Sequence, residues 1–384
     1  IVDKISEKVA AVSNRQRNGQ SQSTEYAGDG MREMLKALKD EPEIGMELPG
    51  HIYNYAIKGA RLGKFYLNSA ASGVGKTRSM VGEACALAYP QILPDGTLSV
   101  REQHARVLFF GMEQDHDEIR TLILANISGV DEEKIISCKC TEEEAILVDR
   151  AVRITEIYKE NLVLEKLGNP SSGALRSSIV SQIYQNGVSH VFYDYIASSP
   201  GLISEYRDLG IREDVALMLL SVSLKDISAE HNVFVRSATQ LNGHAADMKF
   251  KNANAIRGSK AIVDKIDIGC VTSFISEEEM LSIDPILKNM GIEPVDYPNV
   301  VLDMYKNRRG KMVNIKIFRR FDHGTCRAYD LFATDLSYQV YSNYDRLTEV
   351  TVNRTIEDFE SEYAIKLSRL EVVIENHKRL NDDQ

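Results

Sequence analysis

The 384-residue chain contains no uninterrupted apolar run of the roughly eighteen residues that a membrane-spanning helix needs. Its N-terminus, "IVDKISEKVAAV", lacks the basic-then-apolar layout of a secretory signal. Both absences predict a cytoplasmic protein with no membrane partner, and the start at Ile1 rather than methionine reads as a fragment or a processed form. Cysteine is scarce. Cys85, Cys138, Cys140, Cys270 and Cys326 are too few and too irregular for a disulfide scaffold, which points to a reducing compartment. Cys138 and Cys140 form a C-x-C pair, but no second pair of Cys or His follows at zinc-finger spacing, so no metal site is expected there. An excess of positive charge is also missing. With a net charge of −10, any nucleic-acid surface would have to be local.

What is present is an ordinary globular composition, 43% hydrophobic, enough for one large α/β domain with appendages or for two domains. Residues 13–30, "SNRQRNGQSQSTEYAGDG", read as a polar linker. Met31, Met34, Leu35 and Leu38 then fall at i, i+3, i+4 and i+7 and predict a short amphipathic helix that must dock on something. From about residue 45, apolar strands alternate with helical stretches: "KFYLNS", "ARVLFFG", "NLVLEK", "SHVFYDYI" and "NVFVRSATQ" are the strands. This alternation predicts a mostly parallel sheet covered on both faces by helices. After about residue 266 the strands follow one another at shorter spacing, interrupted by "SEEEMLSIDPILKNMGIEPVDYP", which reads as a surface excursion. Ile356, Phe359, Tyr363, Leu367, Leu370 and Ile374 predict a C-terminal amphipathic helix, packed either on its own core or on a partner. The expected organisation is a linker with a docking helix over 1–44, a large α/β domain over 45–340 and a helical extension over 341–384.

"NSAASGVGKTRSM", residues 68–80, joins a strand to a helix through a glycine loop. Phosphate binding needs backbone N–H groups at a helix N-terminus, a lysine for the β- and γ-phosphates and a hydroxyl for Mg2+. Gly73, Gly75, Lys76 and Thr77 supply these parts, and Ser72, Val74 and Arg78 complete the loop. Ala70 stands where the usual pattern begins with glycine; alanine serves if its φ stays negative. The site is therefore expected to take ATP with Mg2+. Asp194, after the apolar run of "HVFYDY", is placed to serve as the second magnesium acid, and Glu113, just beyond "RVLFFGME", to activate water. The run "KNRRGKMVNIKIFRRFDHGTCR" carries Lys306, Arg308, Arg309, Lys311, Lys316, Arg319, Arg320 and Arg327 against Asp322. A nucleic-acid surface and a solvated strand face both fit it.

Taken in order, these elements resemble the C-terminal RecA-like ATPase domain of DnaB-type replicative helicases. "FFGMEQDHDEIR" resembles that family's "FSLEM…R", "FYDYIASS" its "IDYLQL", "NVFVRSATQLN" its "VPVVALSQLNR", "IRGSKAIVDKID" its "LRESGAIEQDAD" and "YKNRRG" its "KNRNG". The loop resembles "ARPSMGKT", in which alanine also holds the first position. The resemblance implies a RecA-like P-loop fold and a DNA helicase that hydrolyses ATP and separates duplex in replication. Lys76 and Thr77 would bind phosphate and magnesium, Glu113 would be the catalytic base, and Gln240 would sense the γ-phosphate and relay it to the adjoining DNA loop. Lys306 and Arg308 match a basic pair inserted by a neighbouring subunit, Arg308 being the arginine finger. Arg257 and Lys260, with Gly258 between them, fall in the loop that grips single-stranded DNA, and suit phosphate contacts without sequence information. The implied partners are single-stranded DNA, further copies in a hexameric ring, and a primase or helicase loader. "GMEQ" in place of "SLEM" and "IRGSK" in place of "LRESG" are departures that point to a phage or mobile-element member. The family's primase-receiving N-terminal domain has no counterpart here. Two other readings stay open: a RecA- or RadA-like recombination ATPase, and a nucleotide-dependent switch or scaffold in a defence or regulatory assembly.

Overall fold

The computed structural model describes residues 28–40, 44–101, 103–168, 170–197, 199–207, 212–242, 245, 248–256, 260–341 and 352–354. The chain divides into two units, residues 1–43 and 44–384. In the first, helix α1 (Met31–Asp40) leaves Met31, Met34 and Leu35 exposed. The polar linker up to residue 27 and the amphipathic run from Ile356 onward lie outside the described residues.

The second unit opens with α2 (His51–Ile57), β1 (Phe65–Ala70) and α3 (Lys76–Ala88). There follow β2 (Gln91–Ile92), β3 (Leu98–Val100), β4 (Val107–Gly111), α4 (His116–Ser128), α5 (Glu132–Ile136), α6 (Glu142–Ile157) and β5 (Leu162–Glu165). The chain continues through α7 (Ser172–Asn186), β6 (His190–Asp194), α8 (Pro200–Arg207), α9 (Glu213–Glu230), β7 (Phe234–Ser237) and α10 (Lys260–Lys265). It then forms β8 (Ile268–Phe274), α11 (Glu277–Asn289), β9 (Val300–Asn307), β10 (Ile315–Asp322) and β11 (Arg327–Thr334). Finally β12 (Val352–Arg354), inside the segment expected to be helical, pairs antiparallel with β3.

Nine strands form one sheet in the order β11-β10-β9-β8-β1-β7-β6-β4-β5. From β5 to β8 all neighbours are parallel; β9, β10 and β11 extend the sheet as an antiparallel meander. The continuous apolar strands reflect burial on both faces. Side-chain alternation divides them: Tyr66, Val107 and Phe109 enter the core under α2, α3 and α4, whereas Phe65, Leu67, Leu108 and Phe110 enter the core under α7 and α9. Local signals start the helices. Thr141 with Glu144 and Ser276 with Glu279 form capping boxes, satisfying amides that α6 and α11 leave without partners. Among the described residues no helix is long and apolar enough to cross a membrane.

Two expectations change. The excursion after Ser276 is the helix α11, whose Ile283 and Leu287 are buried against Val301, Phe318 and Phe332 of the meander. It is a cover for the antiparallel strands rather than a surface excursion. The basic run is likewise neither a solvated face nor a uniform binding surface. The Lys316 ammonium is buried between Glu279 (2.8 Å) and Asp303 (2.9 Å), and the Arg319 guanidinium pairs with Asp330 at 2.7 Å. Arg327 donates to the carbonyls of Ile92, Asn126 and Ile127.

A further buried pair joins α3 to the sheet. Arg236 of β7 donates to Glu83 of α3 through Nε (2.7 Å) and Nη2 (3.2 Å), with the side chains 1% and 5% exposed. Truncating one partner of such a pair strands the other charge in the core. Arg236→Met is expected to lower stability by about 3–5 kcal/mol, and Glu83→Leu combined with Arg236→Met to restore most of it. Urea unfolding of the three proteins checks this; equal midpoints for wild type and the single variant would show that the pair contributes nothing.

Candidate active site

Because β1, β7, β6 and β4 run parallel, their carboxyl ends open on one edge of the sheet, the edge at which open α/β sheets bind ligands. Register aligns the ends: Gly111 lies beside Asp194, Tyr193 beside Ser237, and Ala70 beside Gln240. Ala70 ends β1 without a positive φ, so the first loop position makes no demand for glycine. Gly73 (φ +81°) and Gly75 (φ +94°) do occupy the left-handed region. At Gly75 a Cβ would also stand 2.9 Å from the Phe321 ring. Ser72 and Gly73 are exposed, and Val74 is buried with its carbonyl 3.3 Å from His323 Nε2.

Lys76 opens α3, where the first amides have no intrahelical acceptors and an anion is favoured. Its ammonium folds back on the loop, donating to the Ala70 and Ala71 carbonyls at 3.2 Å each. Burial lowers its pKa, opposed by Asp194 and Glu113. The Thr77 hydroxyl donates to Asp194 Oδ2 at 2.6 Å, while Asp194 Oδ1 is buried without a partner in the protein. Burial pushes the Asp194 carboxyl up to about 6; Glu113 adds to this, and the Thr77 hydrogen bond and Lys76 work against it. A hydroxyl beside a carboxylate with an unused buried oxygen fits Mg2+, which is held by one or two side chains together with phosphates and water.

Glu113 stands exposed two residues beyond β4. Its Oε1 accepts from the Tyr195 hydroxyl at 2.9 Å, and that hydroxyl accepts from Gln240 Nε2 at 2.8 Å. The Tyr195 ring also lies 5.7 Å from Lys76 Nζ. Burial first, then Glu113, push its phenol up to about 12. Tyr195 thus touches three of the predicted site residues although sequence reasoning passed over it. The available signal was its place immediately after Asp194 in "FYDYIASS".

The remaining candidates lie elsewhere. Arg78 ion-pairs with Glu132 and donates to the His323 carbonyl at 2.7 Å, so its guanidinium is engaged within the fold. Lys306 donates to the Val263 carbonyl and Arg308 to that of Asp264 (3.0 Å). Both belong to the opposite edge of the sheet. Ala70 pairs with Thr272, and Thr272 with Leu302; Arg308 is six residues farther along, about 20 Å at the rise of an extended chain. Arg257 and Gly258 lie outside the described residues, and Lys260 is the first residue of α10. The segment leading to them starts directly after Gln240, where Leu241 bridges Ile256 and the Asn242 amide donates to the Ala255 carbonyl at 2.8 Å.

The family model described as the DnaB-like helicase C terminal domain matches residues 51–326. The SPbeta prophage-derived uncharacterized protein YorI of Bacillus subtilis (strain 168) is 32% identical over 344 residues, covering 87% of this chain and 67% of YorI. Among solved structures, a DnaB-like replicative helicase described with its interactions with primase superposes with a TM-score of 0.60 at 15% identity, covering 85% of this chain and 72% of that one. A second solved structure, described as an ATPase domain, superposes with a TM-score of 0.60 at 14% identity, covering 80% of this chain and 99% of that one. A match over most of the chain, on a RecA-like sheet with a glycine loop at its carboxyl edge, leads to one conclusion: the chain belongs to the family of DnaB-like helicase C-terminal domains.

Proposed function

We propose that this chain is the motor of a ring-forming DNA helicase, which spends ATP to move on single-stranded DNA and unwind duplex during replication. The observation that carries the proposal is the assembly of Lys76, Thr77, Asp194, Glu113 and Gln240 at one edge of the sheet. In this reading Gly73, Gly75 and the opening amides of α3 cradle the phosphates, and Lys76 turns from the loop carbonyls to the β- and γ-phosphates. Thr77 and Asp194 hold Mg2+, which would neutralise charge on the phosphates when bound. Glu113 takes the proton of the attacking water and Gln240 contacts the γ-phosphate.

Placement of Lys306 and Arg308 on the far edge supports sharing of sites between copies. Neither residue reaches its own chain's loop, whereas a neighbour packed edge to edge would present them to it. A ring of identical subunits satisfies that requirement without loose ends. The segment after Gln240, through Arg257, Gly258 and Lys260, is the proposed grip on single-stranded DNA. Primase or a helicase loader is the expected protein partner, and the prophage origin of YorI supports a mobile-element setting.

The deciding experiment is the ATP hydrolysis rate with and without single-stranded DNA, with Lys76→Ala as blank. Stimulation that the blank loses is expected; hydrolysis indifferent to DNA in an intact oligomer would favour a switch or scaffold. Glu113→Gln should cut turnover by about 10²–10⁴-fold, the usual contribution of a general base, while ATP binding persists. Full turnover in that variant would remove Glu113 from the role. Arg308→Ala should cost about 10³–10⁵-fold, as for an arginine finger. Rings mixed from Arg308→Ala and Lys76→Ala subunits should regain activity, because some interfaces then combine an intact loop with an intact finger; no recovery in rings shown to be mixed would count against a finger in trans.

A further inference from the structure

The hydrogen-bond chain Gln240–Tyr195–Glu113 has a property that its two ends lack. A phenol has one proton. As the chain stands, Gln240 Nε2 donates to the Tyr195 oxygen, and the proton of that oxygen goes to Glu113 Oε1. The Glu113 carboxylate can only accept. Were Gln240 to present its amide oxygen instead, the same proton could serve Gln240 or Glu113 but not both. The orientation of one amide therefore decides whether Glu113 is held.

We propose that Tyr195 is a positioning residue that restrains Glu113, and that Gln240 releases the restraint when its amide nitrogen turns to the γ-phosphate. This rests on Glu113 acting as the base and Gln240 as the γ-phosphate contact. A general base must offer a lone pair within hydrogen-bond reach of the water proton it removes. In the held state that carboxylate oxygen is directed at the phenol. A γ-phosphate oxygen accepts from Nε2, which turns Gln240 Oε1 toward the Tyr195 oxygen; the two oxygens then face each other with lone pairs only, a clash relieved when the phenol proton turns between them and leaves Glu113 to water. No covalent bond changes in this step.

The chain also has an input. Gln240 is followed at once by the Leu241–Ile256 bridge that closes the 242–255 loop. If the segment onward to Lys260 grips DNA as proposed, a pull by bound DNA would reach the residue beside Gln240 through this bridge. Tyr195 is thereby the joint between the proposed DNA grip and the proposed base. Its ring is held independently of the hydroxyl, since it packs, partly buried, against the core that contains Phe109 and Phe192.

Tyr195→Phe keeps the ring and removes the proton. Unstimulated kcat is expected to rise about 3- to 10-fold, the worth of one net hydrogen bond. KM for ATP should stay within about twofold, because the phosphate contacts are untouched, and the ratio of DNA-stimulated to unstimulated kcat should fall toward one. Gln240→Leu should lower kcat and abolish stimulation, and adding Tyr195→Phe to it should raise kcat again. A merely structural tyrosine would not produce that recovery. Unstimulated kcat at or below wild type in Tyr195→Phe, an unchanged stimulation ratio, or a double variant no faster than Gln240→Leu would each overturn the inference. Hydrolysis that survives in Lys76→Ala would overturn the site reading itself, and the inference with it. A dead Lys76→Ala beside a Tyr195→Phe that matches wild type would overturn the inference alone.

Discussion

The bidentate pair between Glu83 and Arg236 ties the phosphate-loop helix to the strand that ends near Gln240. Both groups are taken out of water, a state tolerated only when each charge finds a partner with good geometry. Burial works against the charge on Arg236, and Glu83 together with Tyr53 and Cys270 more than offsets it, so the guanidinium's pKa ends up raised. That mutual need fixes how α3 lies across β7. It fixes with it the relation between Lys76 and Thr77 at the start of α3 and the residues that follow β7. Elements far apart in the chain thus share one frame, and the glycine loop before α3 is built on that frame as well as on its own Gly73 and Gly75.

The antiparallel half of the sheet follows the same principle. Lys316 with Glu279 and Asp303, and Arg319 with Asp330, place charges inside a layer that composition alone assigns to solvent. Lys316 further donates to the Lys249 carbonyl, and the Lys251 amide donates to Asp303. The segment between Gln240 and Ile256 is therefore anchored to the meander at one point and adjoins the phosphate-loop edge at another. Arg78 connects α3 to the turn after β10 through His323, whose ring leans on the Val74 carbonyl.

At the site itself most polar groups find partners in one another, with Asp194 Oδ1 left over. Lys76 rests on loop carbonyls, Thr77 on Asp194, and Gln240, Tyr195 and Glu113 on each other. On the proposed reading a phosphate would compete for Lys76 and Gln240, since an ammonium and an amide bind an anionic oxygen more strongly than the neutral carbonyl and phenol oxygens they now reach. The resting arrangement and the one proposed around nucleotide would then use the same two donors with different acceptors. This is a basis for switching that needs small side-chain rotations and no change of fold.

Much of this was legible in the sequence because it depends on local physics. Strands buried on both faces must be apolar throughout, helices between them must carry an apolar stripe, and a phosphate loop must pass from strand to helix with glycine where φ is positive. Those requirements marked Gly73, Gly75, Lys76 and Thr77, the parallel sheet and the shorter spacing of the later strands. Asp194 and Glu113 were legible as acids at strand ends. Tyr195 was not, since a tyrosine after a strand has no distinctive pattern until the sheet order sets β6 between β4 and β7. The same holds for Lys316, Arg319 and Arg236: a linear charge run does not reveal which residues find buried carboxylates, because Glu279, Asp303, Asp330 and Glu83 come from other segments. The α11 cover was misread for a related reason, as its acidic first turn is a capping feature that looks like a solvated loop. Sequence by itself determined which segments become strands, helices and the phosphate loop, through periodicity and backbone preference. Only tertiary structure decided which charges are buried and which side chains meet, because sheet order and register bring together residues that no local pattern relates.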